Sequence, residues 1–374
     1  MNARGRSTLA VLLVLAIGLG ACAPAATTAP PTTAPLAATT APAQKQYTAV
    51  LINSFMGNTW RPIMEREVQL AVEYPPLNSK IKSLRIINTD NTATAENVAI
   101  ASLLVEKPDI ILIDAASETG SNQAVKEACD AGIIVVAFDG LVSEPCAWKI
   151  ALNFYASGEG IASWLVNAIG GKGTIFWDLG KAGIPPIAEV ARGAKSVLDQ
   201  HPDIKYYTFY GDLAEGTEQQ QVATLVTAHP EVNGVLSFGY GSGIGKALLD
   251  AGHALVPMTL TAYNSGMIFC NEHNVPCITK SSPTYVGASA LMLAVDVLDG
   301  KVTGAPTTVN LDAPWFVNNT FEFLNNDKAS VLQIKDYARP DLDLGLVFPI
   351  SPPFLIVQGI EWTIDQISKP PVLQ

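Results

Sequence analysis

The chain has 374 residues, of which 48% are hydrophobic and 15% charged, and its formal net charge is −11. This length and apolar content are sufficient for two domains with sizeable cores. An acidic surface repels phosphate backbones, so we expect no nucleic-acid partner.

The N-terminus has the pattern of an export signal. Arg4 and Arg6 precede an apolar run at 9–19, which is too short to span a hydrocarbon layer of about 30 Å. The run ends in Leu-Gly-Ala-Cys22, which resembles the cleavage box of bacterial lipoproteins. An ordinary signal peptide or a core helix is the alternative interpretation.

We therefore expect residues 1–21 to be a signal peptide and Cys22 to carry the lipid. Residues 22–46 are rich in Ala, Thr and Pro and lack the aromatic side chains of a core, which predicts a disordered tether. The expected location is extracytoplasmic, with the lipid anchor as the only membrane contact.

Four further cysteines form two local pairs, Cys129 with Cys146 and Cys270 with Cys277. In an exported protein an even number favours two disulfides, although four cysteines allow three connectivities. Zinc is the competing interpretation, but there is no C-x-x-C and only His273 lies within this spacing. We expect no metal.

From residue 47 onward, apolar strand-like runs alternate with amphipathic helix-like segments. Strands are predicted at 47–52, 83–89, 109–114, 133–138 and 148–153, with helices near 59–74, 95–105, 118–131 and 157–169. Because each strand is apolar on both faces, the sheet should be parallel and covered by helices on both sides.

The alternation starts again after Gly170-Gly171. Strands are predicted at 173–178, 203–210, 232–238, 258–263, 276–281 and 307–312, with helices near 186–200, 215–228, 243–251 and 284–298. Two series of similar size predict an α/β protein with two Rossmann-like lobes, although the halves share no convincing residue identity. The remaining tail is less patterned, with one further helix predicted at 354–367.

The loop after the first strand is rich in donors and aromatic surface. It carries Asn53, Phe55, Asn58, Trp60 and Arg61. Loops at the carboxyl ends of parallel strands are where such sheets bind ligands. Taken alone, the loop is equally compatible with a surface turn whose aromatic residues join the core.

Enzyme motifs are absent from the sequence. There is no G-x-S-x-G and no H-E-x-x-H. The glycine-rich run that ends at Lys246 fails the P-loop spacing, because Tyr240 interrupts it and Ala247 replaces the required Ser or Thr. We therefore expect a non-enzymatic protein without a cofactor; a surface hydrolase with an unrecognised acidic site is an alternative.

Three segments resemble the ribose/galactose-type periplasmic binding proteins. The run Ala-Cys-Asp-Ala-Gly-Ile-Ile-Val-Val-Ala-Phe-Asp at 128–139 is similar to their A-x-x-A-G-I-P-V-V-x-x-D segment. Ser-Ser-Pro-Thr-Tyr-Val-Gly at 281–287 is similar to Q-x-P-x-x-I-G, and Gly-Asn-Thr-Trp-Arg at 57–61 to the G-N-x-W-R of one branch. The resemblance spans about 47–312.

This resemblance implies two Rossmann-like lobes with parallel sheets, joined by three crossing segments near Asn153, Ser281 and Asn310. The implied boundaries are 47–153 plus about 282–310 for the N-terminal lobe and 154–281 for the C-terminal lobe. Residues 311–374 would be an extension that wraps the lobes.

The resemblance also implies ligand contacts in the first lobe. The first-strand loop (Asn53, Phe55, Asn58, Trp60, Arg61) and the acid after the fourth strand, Asp139, match the family's binding positions. Asp139 and Arg61 would grip adjacent hydroxyls, or else form an interloop salt bridge. Asp90 is a candidate for the same edge or for capping the helix near Thr94.

In the second lobe the sequence departs from the family pattern. Val190 stands where the ribose type has an arginine, so Glu189 or Arg192 is the candidate substitute. Tyr240, Asn264 and Ser281 replace the family's other polar contacts, which puts ribose itself in doubt.

The function implied is capture of a sugar or related polyol in an interlobe cleft and delivery to the permease of an ABC importer. We expect a monomer. The alternatives are a sensor that presents its ligand to a membrane receptor or kinase, and a binding protein for a nucleoside or amino acid. A DNA-binding regulator of the same fold is excluded by the anchor and by the lack of a helix-turn-helix.

Overall fold

A computed structural model describes residues 45–311, 313–318, 331–342, 345–350 and 366. The predicted signal peptide, the predicted lipidation site at Cys22 and nearly all of the predicted tether lie outside the described residues. So does the helix predicted at 354–367, apart from residue 366. In the described ranges, no helix combines the length and the apolar character needed to cross a membrane.

Strands and helices alternate along most of the described chain. The strands are β1 (Tyr47–Asn53), β2 (Ile81–Asn88), β3 (Ile110–Asp114), β4 (Ile134–Phe138), β5 (Trp148–Ala151), β6 (Gly173–Asp178), β7 (Ile204–Phe209), β8 (Gly234–Leu236), β9 (Met258–Thr261), β10 (Cys277–Lys280), β11 (Thr308–Asn310), β12 (Trp315–Val317) and β13 (Val331–Gln333). The helices are α1 (Trp60–Ala71), α2 (Leu77–Lys80), α3 (Ala93–Glu106), α4 (Asn122–Asp130), α5 (Phe154–Ala168), α6 (Pro185–Leu198), α7 (Glu215–Ala228), α8 (Ser242–Asp250), α9 (Asn264–His273), α10 (Val286–Leu298) and α11 (Ile334–Tyr337).

The strands form two sheets. The first has the order β11-β5-β4-β3-β1-β2 and the second β13-β12-β10-β9-β8-β6-β7. All paired strands run parallel except β10 and β12, which are antiparallel. The predicted α/β class with two mostly parallel sheets is confirmed.

Both faces of each sheet are covered, which explains the continuous apolar strands. In the first sheet, Leu51 packs with α1 and α10, whereas Val50 and Ile52 on the opposite face pack with α3 and α4. In the second sheet, α5 and α6 cover one face and α7, α8 and α9 the other. Alternate residues of β1 thus enter different cores, which is why Val50, Leu51 and Ile52 are all apolar.

The chain passes between the two sheets three times. It leaves the first sheet after β5, returns after β10 to form α10 and β11, and crosses again between β11 and β12. We refer to the first sheet with its helices as the first lobe and to the second as the second lobe. These crossings bring the carboxyl ends of β1, β4, β6 and β9 towards a common cleft.

Two disulfides have the predicted local pairing. Cys129 at the end of α4 bonds Cys146 before β5, and Cys270 in α9 bonds Cys277 at the start of β10. The helix α9 was not predicted. Its residues, including Asn264 and Gly266, are mostly buried, so it lacks the polar face that signals a surface helix.

Candidate functional site

A small cavity lies between the two lobes at the carboxyl ends of their strands. It measures about 50 Å³. The first lobe lines it with Asn58, Trp60, Arg61 and Asp139, and the crossing segment after β10 adds Ser282. The second lobe contributes Phe154, Ile184, Pro186, Ile187, Leu213, Phe238, Thr261 and Tyr263.

Arg61 is the central charge of the first-lobe wall. Its side chain, only 5% exposed, hydrogen-bonds Asp114 through Nη1, and its Nη2 lies 3.7 Å from Asp139 Oδ2. Burial lowers the pKa of Arg61 and raises the pKa of Asp139, while the charge of each opposes the shift of the other. A guanidinium stays protonated at neutral pH, so the site holds a buried cation between two carboxylates.

Backbone geometry places Asp139 at this position. Asp139 has a φ of 55°, in the left-handed region that few residues other than glycine adopt. The turn brings the Gly140 amide to Asp114 Oδ1, to which it donates at 3.0 Å. A Cβ on Gly140 would collide with the Ala115 carbonyl, so this tight approach requires glycine.

Asn53 holds the loop from behind. It is fully buried, donates through Nδ2 to Glu65 at 2.6 Å and to Asn88 at 2.9 Å, and accepts from Arg61 Nη1 at 3.1 Å. It does not line the small cavity. The structure therefore gives Asn53 the position of a support for Arg61, whereas the sequence predicted a ligand contact.

Three further residues of the first-strand loop lie nearer the cleft. Trp60 is 5% exposed and donates through Nε1 to the Ser282 carbonyl at 2.7 Å. Asn58 accepts from the Arg61 amide at 3.0 Å. The Phe55 ring lies 5.7 Å from Lys181 Nζ of the second lobe, at the edge of the cleft.

Tyr240 contacts the first lobe through its hydroxyl and Tyr263 through its ring. Its hydroxyl is 2.6 Å from Thr59 Oγ1 of the first lobe, and its ring stacks on Tyr263 with centroids 4.1 Å apart. Tyr263, which lines the small cavity, was missed because the sequence pattern pointed to its neighbour Asn264. Tyr240 thus lies behind the cavity wall, in contact with the Tyr263 ring that lines it.

A buried carboxyl fixes the Tyr240 loop. Glu218 accepts from the amides of Tyr240 at 2.8 Å and Gly241 at 3.0 Å. Desolvation, followed by the nearby charge of Asp178, raises the pKa of Glu218 to about 8. Burial likewise raises the pKa of Asp178. No sequence motif marked this pair.

Asn264 and Ser281 contact the C-terminal part of the chain, and their predicted ligand contacts stay predictions. The Asn264 amide exchanges two hydrogen bonds with the Arg339 backbone, at 2.8 and 2.9 Å, and Ser281 Oγ donates to the Phe348 carbonyl. Both are buried and lie outside the lining of the small cavity. The backbone of Arg339 and that of Phe348, in a segment for which the sequence predicted no such contact, engage these polar groups.

Two other predicted residues lie at the margin. Asp90 is exposed and accepts from Thr92 Oγ1 at 2.6 Å. Thr92 itself caps α3, accepting from the Ala95 amide at 3.2 Å. Asp90 therefore contacts the capping residue and does not cap the helix itself. Glu189 forms a two-bond pair with Arg192, at 3.1 and 2.5 Å.

A second, larger cavity of about 490 Å³ adjoins the small one. The two share Asp139, Phe154 and Pro186. The rest of the larger lining is Glu118, Leu141, Val142, Ser143, Lys149, Leu152, Asn153, Tyr155, Pro185, Glu189 and Arg192. Among the sequence-predicted candidates, Asp139, Glu189 and Arg192 line this cavity.

Two α/β lobes that enclose a polar and aromatic cleft define a bilobal ligand-binding protein. A family model described as a periplasmic binding protein domain matches residues 49–302, and the chain belongs to this family. The resemblance noted from the sequence is thereby confirmed, and the family is one of binding proteins rather than enzymes.

Solved structures share the fold. An ABC transporter solute-binding protein from Thermobispora bispora is 27% identical with a TM-score of 0.64, over 71% of this chain and 84% of that one. A D-allose-bound periplasmic protein from Actinobacillus succinogenes is 17% identical with a TM-score of 0.63, over 72% and 97%. The arabinose-binding component from Shewanella sp. ANA-3 is 19% identical with a TM-score of 0.64, over 72% and 91%.

Proposed function

We propose that this protein is an extracytoplasmic, lipid-anchored solute-binding protein that captures a sugar or related polyol between its lobes and delivers it to an ABC importer. The observation that carries the proposal is the buried Arg61–Asp139 pair beside Trp60, facing aromatic side chains across the cleft. The protein is also similar to solved proteins with bound D-allose and arabinofuranose, and this similarity supports a sugar as the ligand.

The chemistry of the cleft suits a polyol. A hydroxyl group accepts from Arg61 and donates to Asp139 at the same time, and hydrogen bonds to charged groups are the stronger kind. The apolar C–H face of a sugar packs on an aromatic ring such as Trp60. Water exclusion on lobe closure strengthens both contacts, and the three crossings serve as the hinges.

The proposal extends to the layout of the chain. Residues 1–21 are the signal, Cys22 the lipidated residue and 22–46 the tether; 47–153 with about 282–310, and 154–281, are the two lobes. Residues 311–374 wrap them, as supported by the contacts of Arg339 with the second lobe and of Gln366 with Arg66 in the first. Membrane fractionation tests the anchor: a Cys22→Ala variant that stays with the membrane argues against lipidation.

Calorimetric titration with pentoses, hexoses, polyols, a nucleoside and an amino acid tests the ligand class. At least one carbohydrate should bind, and Trp60→Ala should weaken that binding by about 1–3 kcal/mol, the range for burying a large apolar side chain. Tyr210→Ala is the control, since Tyr210 is exposed and lines neither cavity. Binding of the nucleoside or amino acid alone would refute the assignment to sugars.

A further inference from the structure

The two adjoining cavities differ in what they offer a ligand. The small cavity holds the Arg61–Asp139 pair but only about 50 Å³ of space, whereas the larger one offers about 490 Å³. Pockets that enclose small organic ligands typically measure ~300–1,000 Å³. The volume that fits a ligand is therefore mostly in the larger cavity.

Asp139, Phe154 and Pro186 line both cavities, so the two are compartments of one cleft. A ligand that contacts Arg61 and Asp139 and also occupies the larger compartment must pass the Phe154 ring. The side chain of Asp139 is 9% exposed at this junction. Such a ligand has one part beside the buried ion pair and a further part beyond it.

The charges of the larger cavity disfavour an anionic second part. Lys149 Nζ already donates to the carbonyls of Glu144 at 2.9 Å and Ala147 at 3.1 Å. Arg192 is paired with Glu189. The lining also carries the carboxyl groups of Glu118, Asp139 and Glu189, which outnumber its two cations, so a phosphate or carboxylate would meet net repulsion there.

The other lining residues suit a neutral, hydroxylated ring. Phe154 and Tyr155 supply aromatic surface, and the Tyr155 ring is held 4.2 Å from the Arg192 guanidinium carbon. Ser143 and Asn153 are exposed, uncharged polar residues at the rim; Ser143 Oγ donates to the Glu118 carbonyl, and Asn153 Oδ1 accepts from the Ala156 amide. Aromatic faces combined with uncharged polar groups match the two surfaces of a sugar.

We propose that the larger cavity is a second sugar subsite, and that the ligand is a neutral oligosaccharide of at least two residues. This inference rests on the proposed function. One sugar lies where the small cavity opens beside Asp139, with one edge towards Arg61 and Trp60, and the next lies against Tyr155. Asp139 sits beside the linkage between them.

Calorimetric titration with matched sugars tests the subsite: D-xylose against xylobiose, D-glucose against maltose and cellobiose, and D-galactose against melibiose. At least one disaccharide should bind ten times or more tighter than its component monosaccharide. Tyr155→Ala should weaken that disaccharide at least tenfold and leave the monosaccharide Kd unchanged. Tyr210→Ala should change neither.

A second variant covers the case in which Tyr155→Ala fails to fold. Ser143 is exposed at the rim, so Ser143→Trp should narrow the larger cavity. This variant should also weaken disaccharide binding at least tenfold and leave the monosaccharide Kd unchanged. Monosaccharides that bind as tightly as their disaccharides would overturn the second subsite while leaving the proposed function intact. Absence of binding to every carbohydrate would overturn both.

Discussion

Replacing Glu218 with glutamine should change how the stability of the protein depends on pH. Glu218 is fully buried in α7, and burial together with the charge of Asp178 raises its pKa from 4.5 to about 8. A folded-state pKa above the unfolded value means that the folded protein keeps a proton that the unfolded chain releases. The stability linked to this proton is complete below pH 4.5 and is lost as the pH rises through about 8.

The size of the effect follows from the shift. Each pKa unit corresponds to about 1.4 kcal/mol, so the full shift corresponds to at most about 5 kcal/mol of unfolding free energy lost across that window. Glutamine cannot ionise, but its amide nitrogen cannot accept from a backbone amide. One of the Tyr240 and Gly241 amides then lacks a partner, which costs about 1–3 kcal/mol.

Urea unfolding at pH 5.5, 7.0 and 8.5, with the disulfides intact, measures the prediction. Glu218→Gln should be less stable than the wild type at pH 5.5, and the difference should shrink or reverse at pH 8.5. Glu272→Gln, which alters an exposed carboxyl on α9, is the matched control and should follow the wild type. A constant difference between Glu218→Gln and wild type at all three pH values would refute the reasoning.

Two further predictions concern the cleft and its support. Arg61→Met should lower the unfolding free energy by about 3–5 kcal/mol, because it leaves Asp114 and Asp139 buried without their cation. Adding Asp139→Asn should restore part of that loss, as measured by urea unfolding. A double variant that is no more stable than Arg61→Met would contradict this prediction. Asn264→Ala should increase proteolysis near Arg339 without changing the sugar Kd, since its amide bonds the Arg339 backbone. A tenfold loss of affinity would instead restore Asn264 as a ligand contact.

Much of the fold was predictable because buried parallel strands have a plain signature. The run at 133–138, apolar on both faces, became β4 between helices on both sides of the sheet. The helix α9 was missed for the converse reason, since its buried residues include Asn264, Ser265 and Gly266. A helix covered on most sides shows no polar face in the sequence.

The candidate site was predictable only in part. The family resemblance grouped Trp60, Arg61 and Asp139, which the structure brings to one cavity wall. These residues follow β1 and β4, whose carboxyl ends lie at the same edge of the sheet with β3 between them. Asp114 and Tyr263 were missed. Asp114 lies within an apolar strand, and Tyr263 gains its position from stacking on Tyr240, which depends on contacts distant in sequence.

The two lobes share a supporting device that sequence comparison of the halves did not detect. Glu96 is the fourth residue of α3 and Glu218 the fourth residue of α7. Both carboxyl groups are buried, and each accepts from a backbone amide in the loop after the third strand of its lobe in chain order. Glu96 accepts from the Ala116 amide after β3, and Glu218 accepts from the Tyr240 amide after β8. A single carboxyl without flanking identity is too short a pattern to reveal such a repeat.

The buried carboxyl groups of Glu96 and Glu218 lie in different electrostatic surroundings, and this difference extends to the two walls of the cleft. The positive charge of Arg61 opposes the rise in the pKa of Glu96, whereas the charge of Asp178 adds to the rise for Glu218. The first lobe carries the buried cation Arg61 in its wall, and the second lobe presents mainly Phe238, Tyr263 and aliphatic side chains to the small cavity. A ligand that is polar on one edge and apolar on its opposite face satisfies both walls, as a sugar ring does.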